Sequence, residues 1–197
     1  MEKLSKYKES MLALEQMMNE WPMRFEMGDG ELDDLKSNET KALEVRKTGK
    51  LLDTTSLSTV GKVEIYLIIK NNDYNIYIVM KNKPFIAGQY TYIKHPTCIE
   101  NKYIWNFSWF QGLIREFFRN YIIPRERMIL SDQTQSRRGF KFWKSLFEEY
   151  VEKKKTHKMM AVNVDDKIQH NITSEADMDK YYNDEDGVKF QFVLIEL

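Results

Sequence analysis

Cysteine is nearly absent. Cys98 is the single one in 197 residues, so no internal disulfide can form, and a reducing compartment is the simple expectation. Histidine is scarce as well. His95, His157 and His170 are dispersed along the chain, and neither they nor Cys98 show metal-ligand spacing, which argues against a zinc site or a Cys–His hydrolase. An excess of one charge is missing too: 30 basic and 30 acidic residues cancel. Whole-molecule attraction to nucleic acid or an anionic membrane is therefore not expected. No apolar run reaches bilayer-spanning length, and the opening "MEKLSKYKES" lacks the apolar stretch of a signal peptide. A cytoplasmic protein with no membrane partner is the resulting expectation. There is no G-x-x-x-x-G-K-[ST] stretch, which excludes a P-loop nucleotide site, and no internal repeat.

What is present is apolar and aromatic periodicity. Leu4, Tyr7, Met11, Leu14 and Met18 recur at helical spacing over residues 3–19, and Pro22 ends that run. Residues 20–40 read as loop, with a short strand at "MRFEM". Residues 41–60 are ambiguous, and "KALEVRKTGKLLDTT" could form a ragged hairpin around Gly49. From Lys62 the pattern sharpens. "KVEIYLIIK", "YNIYIVMK", "FIAGQYTYIK" and "KYIWNFSWF" are strands separated by "NND", "NKP" and "HPTCIEN", a spacing that implies an antiparallel meander. The period then changes. Leu113, Ile114, Phe117, Phe118, Tyr121 and Ile122 line one face of a helix that Pro124 closes. "RMILSD" is a short buried strand. A second helix follows, with Phe140, Trp143, Leu146, Phe147 and Tyr150 on one face. "HKMMAVNV" is a strand, residues 165–187 a polar, acidic connection, and "VKFQFVLIEL" a closing strand. A helix between two strands favours parallel pairing across it. The expected fold is α/β (α+β), a mixed, mostly antiparallel sheet with flanking helices. Residues 1–60 form an N-terminal extension and residues 61–197 the main domain.

That order resembles the GNAT family of N-acetyltransferases over roughly residues 60–197. The segment "MILSDQTQSRRGFKFWKSLF" is similar to the strand–loop–helix of many GNAT-like proteins, phage-encoded ones included, with Ser131, Asp132, Ser136, Gly139, Trp143 and Leu146 fitting the pattern. "IYIVMKNKPFIAGQYTYIK" looks like the family's central hairpin. In that family the fourth strand enters a glycine-containing turn and a helix, and backbone N–H groups there hold the pyrophosphate of acetyl-coenzyme A. Here that stretch is "WFQGLIREFF".

The resemblance implies an acyl-coenzyme-A-dependent transfer of an acetyl group to an amine acceptor, small molecule or protein. Gln111, Gly112, Leu113, Ile114 and Arg115 would hold acetyl-coenzyme A, with Ser136 binding phosphate. Asp132 would act as base and Ser131 as a relay. The family's signature carries a second small residue that this turn lacks. Trp143 stands where many members have a proton-donating tyrosine, and Tyr150, two helical turns on, is the remaining candidate. Those departures keep two rivals in view. One is a GNAT-fold structural or interaction protein without catalysis. The other, less favoured, is a nucleic-acid-directed member using Arg137, Arg138, Lys141 and Lys144. Each candidate also has a structural alternative. Asp132 and Ser136 suit helix N-caps, and Arg115 and Arg119 suit a solvated helix face. Acidic residues after Asp165 would favour a cationic acceptor.

Overall fold

The computed structural model describes residues 29–106, 110–131, 137–163, 168–182 and 190–197, with side chains from residue 37. The helix expected over residues 3–19 and the strand at "MRFEM" lie outside the described residues. The chain divides into two units, Met1–Ser37 and Asn38–Leu197. Of the first, only the helical residues 29–37 are described. The second holds the whole sheet and the helices that cover it.

Helix α1 (Asp29–Thr48) occupies part of the stretch read as loop, and the hairpin suggested at Gly49 is instead a helix-to-strand junction. Gly49 donates its N–H to the Val45 carbonyl at 2.8 Å. A Cβ on it would lie 2.6 Å from that same oxygen, so glycine is the residue that fits. Strand β1 (Lys50–Leu57) pairs with β2 (Gly61–Lys70), so the sheet takes in residues assigned to the extension by sequence. Asn71 and Asn72, both at positive φ, form the two-residue turn into β3 (Asp73–Met80). Asparagine tolerates the left-handed conformation that such a turn requires. β4 (Ile86–Lys94) and β5 (Ile99–Asn106) complete the antiparallel meander. β5 starts three residues earlier than its apolar pattern suggested.

The remaining strands are β6 (Met128–Leu130), β7 (His157–Asn163), β8 (Ile168–Ile172) and β9 (Gln191–Glu196). The nine strands form one sheet in the order β1-β2-β3-β4-β5-β6-β9-β7-β8. β9 is antiparallel to both β6 and β7, so those two run parallel with β9 between them. Helix α2 (Leu113–Phe117) continues as a π-helical turn, Phe118–Ile122, and bridges β5 to β6. Helix α3 (Arg137–Leu146) likewise widens into a π-helical segment, Phe147–Lys153. The two were expected as continuous α-helices. Helix α4 (Glu175–Tyr182) and β8 lie in the segment read as a polar connection.

The main core sits where α2, α3 and α4 cover one face of the sheet. Tyr90, Phe117, Phe118, Trp143, Phe147 and Phe192 are among its members. A second cluster on the other face packs Ala42 and Val45 of α1 on Tyr66, Tyr77, Val79 and Ile86. Asn38 fastens α1 to β4 through both ends of its amide, accepting from the Ile86 N–H at 2.8 Å and donating to the Ile86 carbonyl at 3.1 Å.

Candidate functional site

β5 and β6 are adjacent and parallel, joined by two residue pairs, Ile99↔Ile129 and Glu100↔Leu130. Pairing then stops. β5 runs on to Asn106 along β4 alone, while β6 turns its far side to β9, with the Ser131 N–H donating to the Phe192 carbonyl at 2.7 Å. β5 also carries a bulge. Tyr92 faces Asn101 and Thr91 faces Tyr103, leaving Lys102 as an extra residue. A bulge bends its strand and sharpens the local twist. The result is a fork inside the sheet, with Asn101 and Ser131 next in register at its mouth. Beyond Glu100, no strand among the described residues pairs with the β6-facing edge of β5.

The two sides of the fork differ chemically, because successive strand residues face opposite ways. Glu100 belongs to a polar chain. Its Oε1 accepts from Gln191 Nε2 at 3.0 Å, and its Oε2 lies 3.1 Å from His95 Nε2. Gln191 Nε2 also donates to the Ser131 carbonyl at 2.8 Å. The Ser131 hydroxyl oxygen accepts the Phe192 N–H at 2.9 Å and is fully buried. Ser131 therefore already serves to join β6 to β9. Asn101 faces the main core and is 3% exposed. Its Oδ1 accepts from the Tyr90 hydroxyl. Burial, with smaller contributions from Tyr92 and Glu126, pushes the Tyr90 pKa well above the ordinary tyrosine value, so that hydroxyl stays protonated and donates. Asn101 Nδ2 is buried with no hydrogen-bond partner.

Past β5, the Phe110 carbonyl accepts from the Leu113 N–H at 3.1 Å and from Asn106 Nδ2 at 3.0 Å. Gly112 follows at φ 84° and opens α2 with no side chain capping it. The first intrahelical bond is Glu116 N–H to the Gly112 carbonyl, which leaves the Ile114 and Arg115 amides without an intrahelical acceptor. Gly88 permits this seat, since a Cβ there would meet Leu113 Cδ2 and the Trp105 carbonyl at 3.2 Å each. Gln111 and Arg115 are exposed, whereas Leu113 and Ile114 are buried. Glu116 is tied to the β1–β2 turn. Its carboxylate accepts from the Ser58 N–H at 2.6 Å and the Thr59 hydroxyl at 2.8 Å. Burial works against ionisation here, but these donors outweigh it and hold the carboxyl below its usual range.

The expected residues therefore scatter. Gln111, Gly112, Leu113, Ile114 and Arg115 form one turn, and Ser131 stands at the fork. Asp132 and Ser136 lie outside the described residues. Tyr150 is not brought to Ser131. It is buried, packs edge-on to His157 at 5.1 Å, and its pKa is raised chiefly by burial. His157 pairs with Glu196, four residues along β9 from the Phe192 that bonds Ser131, or about 13 Å. Trp143 is part of the core. Arg119 is engaged by Glu149 at 2.7 Å.

Of the basic cluster, Arg137, Arg138 and Lys141 are exposed, whereas Lys144 meets acidic residues of α4. Lys144 pairs with Asp179 at 2.9 Å and Glu175 at 3.4 Å. Asp177 and Ser174 cap α4 reciprocally. The residues missed by sequence are Tyr90, Asn101, Glu100 and Gln191. The available signal was Asn101 itself, a polar residue two places after Ile99 on the inward face, hidden because "HPTCIEN" reads as a break.

Together these features define a mixed α+β protein with a forked, mostly antiparallel nine-stranded sheet. No family model, curated protein or solved structure matches the chain. Among the described residues no helix is long and apolar enough to cross a membrane, and no cluster of His, Cys, Asp and Glu could hold a metal ion.

Proposed function

We propose that the protein is a GNAT-like N-acyltransferase that moves an acetyl group from acetyl-coenzyme A to an amine. The observation that carries this reading is the β5–β6 fork. Past Glu100 no described strand pairs with the β6-facing edge of β5, and a strand edge inside a sheet carries N–H and C=O groups able to bond backbone-like partners. An extended chain bearing amides, such as a pantetheine arm, supplies them in the manner of an added strand. The Gly112 turn supports the same reading. It offers uncapped amides at a helix start, where an anion is favoured, with the exposed Arg115 beside them.

Acetyl-coenzyme A would supply the activated acyl group. The chain would contribute positioning, which accounts for much of the acceleration available to such a transfer. It would also exclude water through the aromatic wall of Tyr90, Phe117 and Phe118. As the C–N bond forms and the C–S bond breaks, the amine's proton must pass to a base and the thiolate must gain one. Asp132, next in the chain to Ser131, is the candidate base.

The rival, an interaction protein of this fold without catalysis, draws support from Trp143 and Tyr150, both committed to packing. The nucleic-acid reading loses support from Lys144, which two acids neutralise.

Calorimetric titration separates the first two. Wild-type protein should bind acetyl-coenzyme A in the micromolar range, roughly −8 kcal/mol. Gly112→Asn, which tolerates the left-handed backbone, should retain that binding. Gly112→Asp, of nearly the same shape, should weaken it at least about tenfold by placing a negative charge at the helix start. Absence of binding at millimolar ligand would leave the interaction protein as the better account.

A further inference from the structure

The Asn101 amide is half used. Its oxygen is held by Tyr90, a deeply buried tyrosine whose hydroxyl remains protonated, while Nδ2 is buried and unpartnered. An unmade hydrogen bond on a buried amide is costly to a fold. A side chain that offered Tyr90 an acceptor and carried no spare donor would avoid that cost. Asn101 also stands at the mouth of the fork, on the first residue past the last β5–β6 pair and beside the Lys102 bulge. Tyr90 is packed against Phe117 and Phe118 of the helix that begins after Gly112, with ring centroids 6.3 and 4.9 Å away. The amide is thus oriented by a rigid aromatic group, and its NH2, with both donors unused, belongs to the residue at which the strands part.

We propose that Asn101 binds the acyl group directly, its Nδ2 donating to the acyl carbonyl oxygen, with Tyr90 as the residue that positions it. This assignment rests on the acyltransferase reading. A donor placed on that oxygen polarises the carbonyl and stabilises the negative charge it gains as the amine attacks. It also distinguishes a loaded from an unloaded carrier, because free coenzyme A has no acyl carbonyl to accept the bond.

The test compares the affinities of acetyl-coenzyme A and free coenzyme A for four proteins: wild type, Asn101→Asp, Asn101→Leu and Tyr90→Phe. Asn101→Asp, measured at a pH high enough to ionise its buried carboxyl, keeps an acceptor for Tyr90 and loses the donor; Asn101→Leu loses both. In wild type, acetyl-coenzyme A should bind more tightly than coenzyme A. In both Asn101 variants that preference should shrink about tenfold, with free coenzyme A binding unchanged. Tyr90→Phe should lower the preference by a smaller factor. Far-ultraviolet dichroism and urea denaturation verify that each variant is folded, and the conservative Asp variant serves if the Leu variant is not. If wild type binds both ligands and the preference is the same in a folded Asn101 variant, the Asn101 assignment falls while the acyltransferase reading stands. If wild type binds neither ligand, both fall together.

Discussion

Two glycines illustrate how differently one residue type can be required. At Gly49 the obstacle is space, because a Cβ would sit 2.6 Å from the Val45 backbone oxygen. That oxygen belongs to α1 and cannot yield cheaply. At Gly112 nothing lies within 4 Å of a built Cβ, but φ is 84°, so the demand is conformational. Gly49→Ala should therefore cost about 1–3 kcal/mol in urea denaturation, whereas Gly112→Asn should stay within about 1 kcal/mol of wild type. Sequence pointed to Gly112 because a glycine at a helix start between aromatic residues is conspicuous. It suggested a hairpin at Gly49, since nothing local shows that the neighbour which matters is a carbonyl four residues back. Asn101 is the reverse case. Its importance comes from an unmade bond, which depends on every surrounding group and so cannot be read from residue types.

The elements legible in advance are those whose period is carried by many buried side chains. β2, β3 and β4 carry runs of apolar residues buried on both faces of the sheet, and the apolar faces of α2 and α3 were read correctly. The missed elements bury little. Within its described side chains α1 contributes Ala42 and Val45 to the core, and α4 contributes Met178, so neither carries a strong stripe. The π-helical segments were also beyond periodicity, because one widened turn shifts the spacing only locally. Their effect shows in Lys153–Glu148 and Lys154–Glu149, ion pairs at i,i+5 rather than the i,i+4 of an α-helix. Trp143, 2% exposed, anchors α3. Replacing it with alanine should cost about 3–5 kcal/mol, read as a lowered denaturation midpoint with little change in slope.

At the scale of the whole molecule, stability should depend on pH through His157. Burial, aided by Lys154 and opposed by Glu196, lowers its pKa below the ordinary 6.5. The unfolded chain therefore takes up a proton first as pH falls. Stability is complete above about pH 6.5 and declines below it, through the depressed folded value. Thermal melts between pH 8 and pH 5 should show this decline, and His157→Gln should reduce it. The parallel relation of β5 and β6 was legible from the crossover helix between them. The position of β9 was not, since a strand from residues 191–196 entering between β6 and β7 is decided by long-range pairing.

That interposed strand has a consequence for synthesis. β6 and β7 are made well before β9, and until residue 191 has emerged each lacks its main neighbour. β6 has only its two-pair hold on β5, and β7 has only β8. A nascent chain of this protein must therefore travel the ribosome as a finished meander followed by two exposed strand edges, the kind of surface that chaperones cover and proteases find. Arresting translation before and after residues 191–196, then digesting the tethered chains, would show protection of the second half of the sheet arriving in one step rather than strand by strand.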